Sequence, residues 1–435
     1  MRKSWFLYLL ATIALGQSPP PTFNFLYHFQ GPPNAWKPPM ILERGGKFYG
    51  PGQGGTANLG CVFELTPPAS TGGAWTSTIL YSFQSVQDGG GAGWLVASNS
   101  GVFYGVTPQG GSPGCTDGSG CGTVFELTPP PTAGQPWTKT VLYTFLGGGD
   151  GFEPNVLAVG PNGVLYGITG LGGRNAAACR SGCGTVFSLT PPATPSGAWT
   201  KKGLYEFAGG ADGWSPWALV ATSTPDGRAE VYGITTNGGM TCVPVGGNGC
   251  GLAFALLPPA AEGGAWTKVD LHIFGAGADG AQPGSLNLGA DGALYITTGL
   301  GGLYTCSTPF PSCGTVVRLE KSSPHQPWTE TVLYDFQGLD DGAFPGALAI
   351  AKDGSIYGTT ADKGANGFGT VFHLQPSTTP GGPWTETTLY TFTRHDGPGP
   401  TWGSLITGEQ GVIYGTARSG FIEAPSNGLL FRVIP

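Results

Sequence analysis

The chain has 435 residues, a formal net charge of −7 and only 10% charged residues. No basic stretch stands out, which excludes a nucleic-acid binder that works through phosphate neutralisation. Glycine (79) and proline (39) make up about a quarter of the chain, a share that means disorder when aperiodic and turns when periodic.

Residues 1–16 read as a signal peptide. Arg2-Lys3 precede an apolar run from Trp5 to Leu15, and Ala14-Leu15-Gly16 offers a small-residue cleavage site. The run is too short to span a bilayer. The expected fate is export to the cell surface or the medium, with residues 17–435 forming one domain, a monomer with no membrane span after cleavage.

Next comes a lone strand pattern, Phe23–Phe29, and then copies of one four-strand unit. The clearest copy is residues 345–392. Ala347–Ala351 is an apolar run, and Asp353-Gly354 is a tight hairpin signal because glycine accepts positive φ. Ser355–Thr360 is β-branched and aromatic, a second strand. A glycine-rich loop leads to Thr370–Gln375, and a Pro/Gly-rich loop to Thr385–Phe392, whose alternation marks a half-buried strand.

A Trp-Thr pair opens the fourth strand at Trp75, Trp137, Trp199, Trp266, Trp328 and Trp384, in steps of 62, 62, 67, 62 and 56 residues. The second-strand tyrosine recurs seven times, from Tyr49 to Tyr414, and so does the aromatic that ends the fourth strand, from Phe29 to Phe392. Blade 1 is expected near Met40–Arg44, Lys47–Gly50, Cys61–Thr66 and Trp75–Phe83. Blade 7 takes Ser404–Thr407, Val412–Thr416, Leu429–Ile434 and the N-terminal strand. Blade 5 departs from the pattern, with Ile296 where glycine usually follows tyrosine. An isolated fourth strand at one end and an isolated third strand at the other fit a ring closed by pairing the two. The expected fold is therefore all-β: a seven-bladed β-propeller of four-stranded blades, kelch-like in its order of signals.

Four cysteine pairs fall between second and third strands of consecutive blades: Cys115/Cys121, Cys179/Cys183, Cys242/Cys250 and Cys306/Cys313. A zinc site needs four converging ligands, and these pairs sit in different blades, so disulfides are expected and no metal. Cys61 is left over and reads as a buried thiol.

Tyr166-Gly167-Ile168-Thr169 with Gly184-Thr185-Val186-Phe187, and Tyr357-Gly358-Thr359-Thr360 with Gly369-Thr370-Val371-Phe372, resemble the GloVer-type tandem repeat of bacterial exported proteins, the choice-of-anchor group. The resemblance covers nearly all of residues 17–435. It implies export and no particular activity. The sorting anchor that some members carry is not expected here.

Candidate sites gather in the links between blades, which should share a face with the disulfide loops. Six links carry an aspartate: Asp88, Asp150, Asp212, Asp279, Asp341 and Asp396. Recurrence in six links favours a turn-forming role over a ring of ligands. The irregular aromatics Trp36, Trp94, Phe152, Trp214, Trp217, Phe344 and Trp402 are candidates for stacking on sugar rings or for a protein interface; the competing role is packing between blades. Arg394, His395 and Arg418, with Arg174, Arg180 and Glu423 on the same face, are the set an enzyme could use, His395 as base and arginine as charge stabiliser. Gly110–Gly114 and Gly275–Gly280 match a nucleophile elbow and a dinucleotide fingerprint, but neither lies in a βα context. The expectation is an exported, non-catalytic binding or scaffold propeller for a polysaccharide or a cell-surface protein, with no cofactor. The alternatives are a secreted carbohydrate-active lyase or hydrolase acting near blade 7 and a structural envelope protein.

Overall fold

The computed structural model describes residues 22–434 apart from 31–39, 53, 71, 116–117, 133, 174–178, 195–196, 225, 243–246, 262, 276, 307–311, 322–326, 380, 397–399, 401–403, 409–410 and 418–425. Residues 1–16, which the sequence suggests are a signal peptide, and Trp36, Arg174, Trp402, Arg418 and Glu423 therefore lie outside the described residues.

Seven antiparallel four-stranded sheets follow one another along the chain. After β1 (Thr22–Gln30), blade 1 holds β2 (Leu42–Arg44), β3 (Lys47–Gly52), β4 (Cys61–Thr66) and β5 (Thr76–Ser82). Blade 2 holds β6 (Trp94–Ala97), β7 (Phe103–Thr107), β8 (Thr123–Thr128) and β9 (Thr138–Thr144). Blade 3 holds β10 (Phe152–Val159), β11 (Leu165–Leu171), β12 (Thr185–Thr190) and β13 (Thr200–Glu206). Blade 4 holds β14 (Trp214–Ser223), β15 (Ala229–Asn237), β16 (Leu252–Leu257) and β17 (Thr267–Ile273). Blade 5 holds β18 (Ala281–Leu288), β19 (Leu294–Leu300), β20 (Thr315–Lys321) and β21 (Trp328–Asp335). Blade 6 holds β22 (Ala343–Ile350), β23 (Ile356–Asp362), β24 (Thr370–Gln375) and β25 (Thr385–Thr391). Blade 7 holds β26 (Leu405–Thr407), β27 (Ile413–Ala417) and β28 (Ser426–Ile434), completed on its outer edge by β1. The first strands of neighbouring blades touch one another around the axis. The seven-bladed ring closed by the N-terminal strand is thus what the sequence predicts. Among the described residues, no helix is long and apolar enough to cross a membrane.

The closure is a packed joint. Phe23 of β1 pairs with Val433 and stacks on Tyr390 of blade 6 at 3.6 Å between ring centroids. On the inner side, the Ile41 N–H donates to Ser404 Oγ at 2.8 Å, tying blade 1 to blade 7.

Blade packing rests on a glycine and a phenylalanine. The glycine after the second-strand tyrosine leaves room for the third-strand phenylalanine. A Cβ on Gly105, Gly167, Gly233, Gly358 or Gly415 would lie 2.0–2.3 Å from the facing ring of Phe125, Phe187, Phe254, Phe372 or Phe431. Each of those rings is fully buried and meets the aromatic that ends the previous blade, edge to face, as Phe187 meets Phe145 at 5.2 Å. The irregularity in blade 5 has a physical cause. Ile296 pairs directly with Val317, so the lost ring is replaced by a larger residue opposite. Gly358→Ile should therefore overpack blade 6 and cost about 2–3 kcal/mol. Adding Phe372→Val should recover at least half of that loss in urea unfolding, since residues in contact couple.

Candidate functional site

The innermost strands carry a motif that the sequence does not advertise. Glu153, Ser215, Gln282 and Phe344 occupy the same place in blades 3 to 6, each one residue before a proline. All four have φ of 55–58°, although none is glycine. Such a conformation costs of order 1 kcal/mol per residue and persists only where the surroundings enforce it. Here the N–H of each donates to a cysteine carbonyl of the preceding blade: Cys121, Cys183, Cys250 and Cys313, at 2.8–3.2 Å. The following proline, Pro154, Pro216, Pro283 or Pro345, lies against the glycine that succeeds that cysteine. Just beyond the proline, each inner strand shifts register in a bulge. Bulges of this kind re-aim side chains and recur near functional sites.

The four expected disulfides are formed. Their loops of 4 to 8 residues are short, so each stabilises by less than about 3 kcal/mol. What they fix locally is the carbonyl that receives the next blade's inner strand. The links into blades 2 to 6 lie on the same face, since each bonds to the second-to-third loop of the blade it enters, as Gly173 N–H does to Gly148 O at 2.9 Å. Cys61 is a buried thiol outside the four pairs, pushed up to about 11 by burial.

The link aspartates are structural clamps. Each carboxylate accepts the fourth-strand hydroxyl or imidazole six or seven residues upstream: Tyr81 for Asp88, Tyr143 for Asp150, Tyr205 for Asp212, His272 for Asp279, Tyr334 for Asp341 and Tyr390 for Asp396. Each also accepts a backbone N–H from the start of the link, as Asp88 does from Gln84 at 3.0 Å. In three seams a lysine from the next blade completes the clamp: Lys139 on Asp88 at 2.8 Å, Lys201 on Asp150, and Lys268 on Asp212 at 3.0 Å. Burial alone would raise the Asp88 carboxyl, but Lys139, Gln84 and Tyr81 hold it below the usual carboxylate range. Burial in turn draws Lys139 below its usual range against the pull of Asp88.

The aromatic candidates separate. Phe152 is 6% exposed and packs in the core with Leu157, Leu165 and Phe187, so burial removes it from the possible stacking surfaces. Trp94, Trp214 and Phe344 are half-buried against the same inter-blade clusters. Trp217 differs. It sits at the bulge of β14, is 37% exposed, and its indole N–H donates to the Gly284 carbonyl on the inner strand of blade 5 at 3.0 Å. Its counterparts in neighbouring blades are Asn155, Gly284 and Gly346, so only here does a large ring occupy that position. Arg394 and His395 lie exposed in the turn that ends at Asp396, and Arg180 is exposed in a disulfide loop. Among the described residues, no group of three or more His, Cys, Asp or Glu is arranged to hold a metal ion.

Two further features escaped sequence reasoning. Leu146, Leu303 and Leu339 are 66–74% exposed in the loops of the disulfide face. On the opposite face a shallow groove of about 410 Å³ runs between blades 3 and 4, lined by Asn162, Tyr166, Arg228 and Pro259 among others. The aliphatic loop residues carry no period, and the groove is built from three turns far apart in sequence.

The model of the Gloeobacter/Verrucomicrobia repeat matches residues 15–179 and 240–435. The chain has no match among curated proteins. Among solved structures, a PL25 ulvan lyase bound to -[GlcA(1-4)Rha3S]- aligns with a TM-score of 0.55 at 10% identity, over 93% of this chain and 94% of the lyase. The polysaccharide lyase Uly1 aligns with a TM-score of 0.51 at 10% identity, over 98% of this chain and 94% of the lyase. At that identity the likeness concerns the fold.

The clamp also sets an expectation for stability. Lys139, whose side chain is 1% exposed, should cost about 3 kcal/mol when replaced by alanine, because Asp88 is left half-buried without its counter-charge. Lys47, 40% exposed in its pair with Glu64, should cost less than about 1 kcal/mol. Urea unfolding of Lys139→Ala and Lys47→Ala measures the difference.

Proposed function

This chain belongs to the Gloeobacter/Verrucomicrobia repeat family, and on that footing we propose that it is an exported, non-catalytic binding propeller whose ligand is a glycan held at the axial mouth of the disulfide face. The observation that carries this reading is Trp217. It offers part of an indole face next to the axis, and its N–H bond to the Gly284 carbonyl fixes the ring before any ligand arrives. A preset aromatic surface stacks on a sugar ring with little loss of conformational freedom. The bulged inner strands of blades 3 to 6 present irregular backbone beside it, the setting in which a sugar's hydroxyls find hydrogen-bond partners. Export is supported by the apolar leader and by four disulfides, which persist in oxidising surroundings.

The second reading, a secreted lyase or hydrolase using Arg394, His395 and Arg418, draws on the fold shared with two polysaccharide lyases. One experiment separates the two. The purified chain is titrated calorimetrically with a panel of neutral and uronate-containing polysaccharides while released products are assayed. Saturable binding without product, weakened about tenfold by Trp217→Ala, is the expected result. Product that disappears in His395→Ala would establish the enzyme instead. Binding untouched by Trp217→Ala but lost in Arg228→Ala would move the ligand to the opposite groove. No binding across the panel would overturn the glycan reading and leave a protein partner or a structural role.

A further inference from the structure

Three of the link clamps use a lysine, and the position of that lysine is fixed by the repeat: it directly follows the Trp-Thr pair, at Lys139, Lys201 and Lys268. In blades 5 and 6 the same position is Glu330 and Glu386. The aspartates they should face have not changed. Asp341 is 8% exposed and accepts the Tyr334 hydroxyl at 3.1 Å, the Gln337 N–H at 2.7 Å and the Leu339 N–H at 3.1 Å. Glu386 pairs in register with Leu374 and is half-buried. Its Oε1 accepts the Thr388 hydroxyl at 3.0 Å, and that same hydroxyl lies 3.3 Å from the Asp340 carbonyl in the link. Two carboxyl groups thus share the place where other seams pair a carboxylate with an ammonium.

We infer that Glu386 closes the seam between blades 5 and 6 only as the neutral acid, so that this seam loosens as pH rises. Its surroundings agree. Burial pushes the Glu386 carboxyl up to about 7; the Thr388 bond offsets part of this, and the charge of Asp341 adds a smaller push upward. From blade 5, Tyr334 and Asp335 of β21, Tyr304 of the second-to-third loop, and Asp340 and Asp341 of the link surround the same seam. Burial, and after it Asp341, raises the Asp335 carboxyl as well. Asp362 and Lys363 sit where the blade 6 loop meets the link, Gly364 N–H donating to Leu339 O at 2.9 Å. The seam between blades 4 and 5 is a buffered copy. There the tyrosine is replaced by His272, which bonds Asp279 at 3.1 Å. Burial raises the Glu330 carboxyl, and His272 offsets part of that rise against Asp279. Blade 6 has no such substitution, so the effect should concentrate at Glu386.

The sign follows from linkage. A carboxyl whose folded value is raised binds its proton more tightly in the folded state. Its contribution is fully present below the ordinary glutamate range and is lost as pH climbs through about 7.

The test is urea unfolding of the full chain between pH 4.5 and 8, for wild type, Glu386→Gln and Glu386→Lys. The wild-type unfolding constant should rise about 100-fold more than that of Glu386→Gln across this range, because each pH unit between the ordinary glutamate range and about 7 changes it tenfold. Glu386→Lys, which rebuilds the clamp of blades 2 to 4, should be more stable than wild type at pH 8. Hydrogen exchange at pH 8 places the effect: β25 and residues 337–342 should exchange faster in wild type than in Glu386→Gln. Equal pH slopes for wild type and Glu386→Gln, or a Glu386→Lys chain no more stable than wild type at pH 8, would overturn the inference. Equal exchange of those segments in the two chains would overturn its location.

Discussion

A four-stranded blade cannot bury both of its faces alone, so everything here depends on the seam between blades. The seams entering blades 3, 4 and 6 are closed at three levels, and the seam into blade 5 differs in having Val317 where the others have phenylalanine. In the middle, the third-strand phenylalanine of one blade meets the terminal aromatic of the blade before, as Phe372 meets Phe336 at 5.1 Å. On the disulfide face, the link aspartate gathers a hydroxyl, a backbone N–H and, in three seams, a lysine. Beside the axis, a proline seats on a glycine and the N–H before it reaches a cysteine carbonyl. The first level supplies most of the free energy, since a buried aromatic side chain contributes on the order of 2–3 kcal/mol by area alone. The other two fix register, because neither tolerates a shift of one residue.

That division accounts for the strain on the inner strands. Leaving the extended region at Glu153, Ser215, Gln282 and Phe344 destabilises the chain locally. In exchange the proline ring enters the preceding blade and the N–H finds its carbonyl. The disulfides lie where this exchange is most exposed to failure. A short loop whose cysteine carbonyl wandered would release both the N–H and the proline. Their small effect on the entropy of the unfolded chain is therefore a poor measure of their role.

Much of this architecture was legible in the sequence because it is periodic. The Trp-Thr pair, the second-strand tyrosine and the Asp-Gly links gave seven units, the blade boundaries and the closing role of Phe23–Phe29. The turn-forming role of the aspartates was also legible, since six copies argue against a single site. The aromatic candidates were not. Phe152, Trp214 and Trp217 sit on either side of a bulge, and the extra residue breaks the alternation by which a strand's inward and outward positions are told apart. A period-2 reading could not tell that Phe152 turns into the core while Trp217 stays partly open. The left-handed residues were equally hidden, because their cause is a carbonyl in the neighbouring blade and not their own identity.

In a repeat protein the periodic residues hold the ring, and what is particular to the molecule lies where the period breaks. Three breaks fall in blades 4 and 5. Ile296 with Val317 is a volume exchange within one blade and leaves the seam apolar. His272 with Glu330 is an exchange of two polar groups across a seam, which keeps a ring nitrogen bonded to Asp279. Trp217 is a third kind, a large ring where its neighbours carry asparagine or glycine, and it changes only the lining of the axis. The first two are compensated by a second substitution opposite. Trp217 reaches Gly284, which has no side chain to compete for the space, so its compensation is the absence of a group. The ring is held by its bond to the Gly284 carbonyl and stays partly exposed, at 37%.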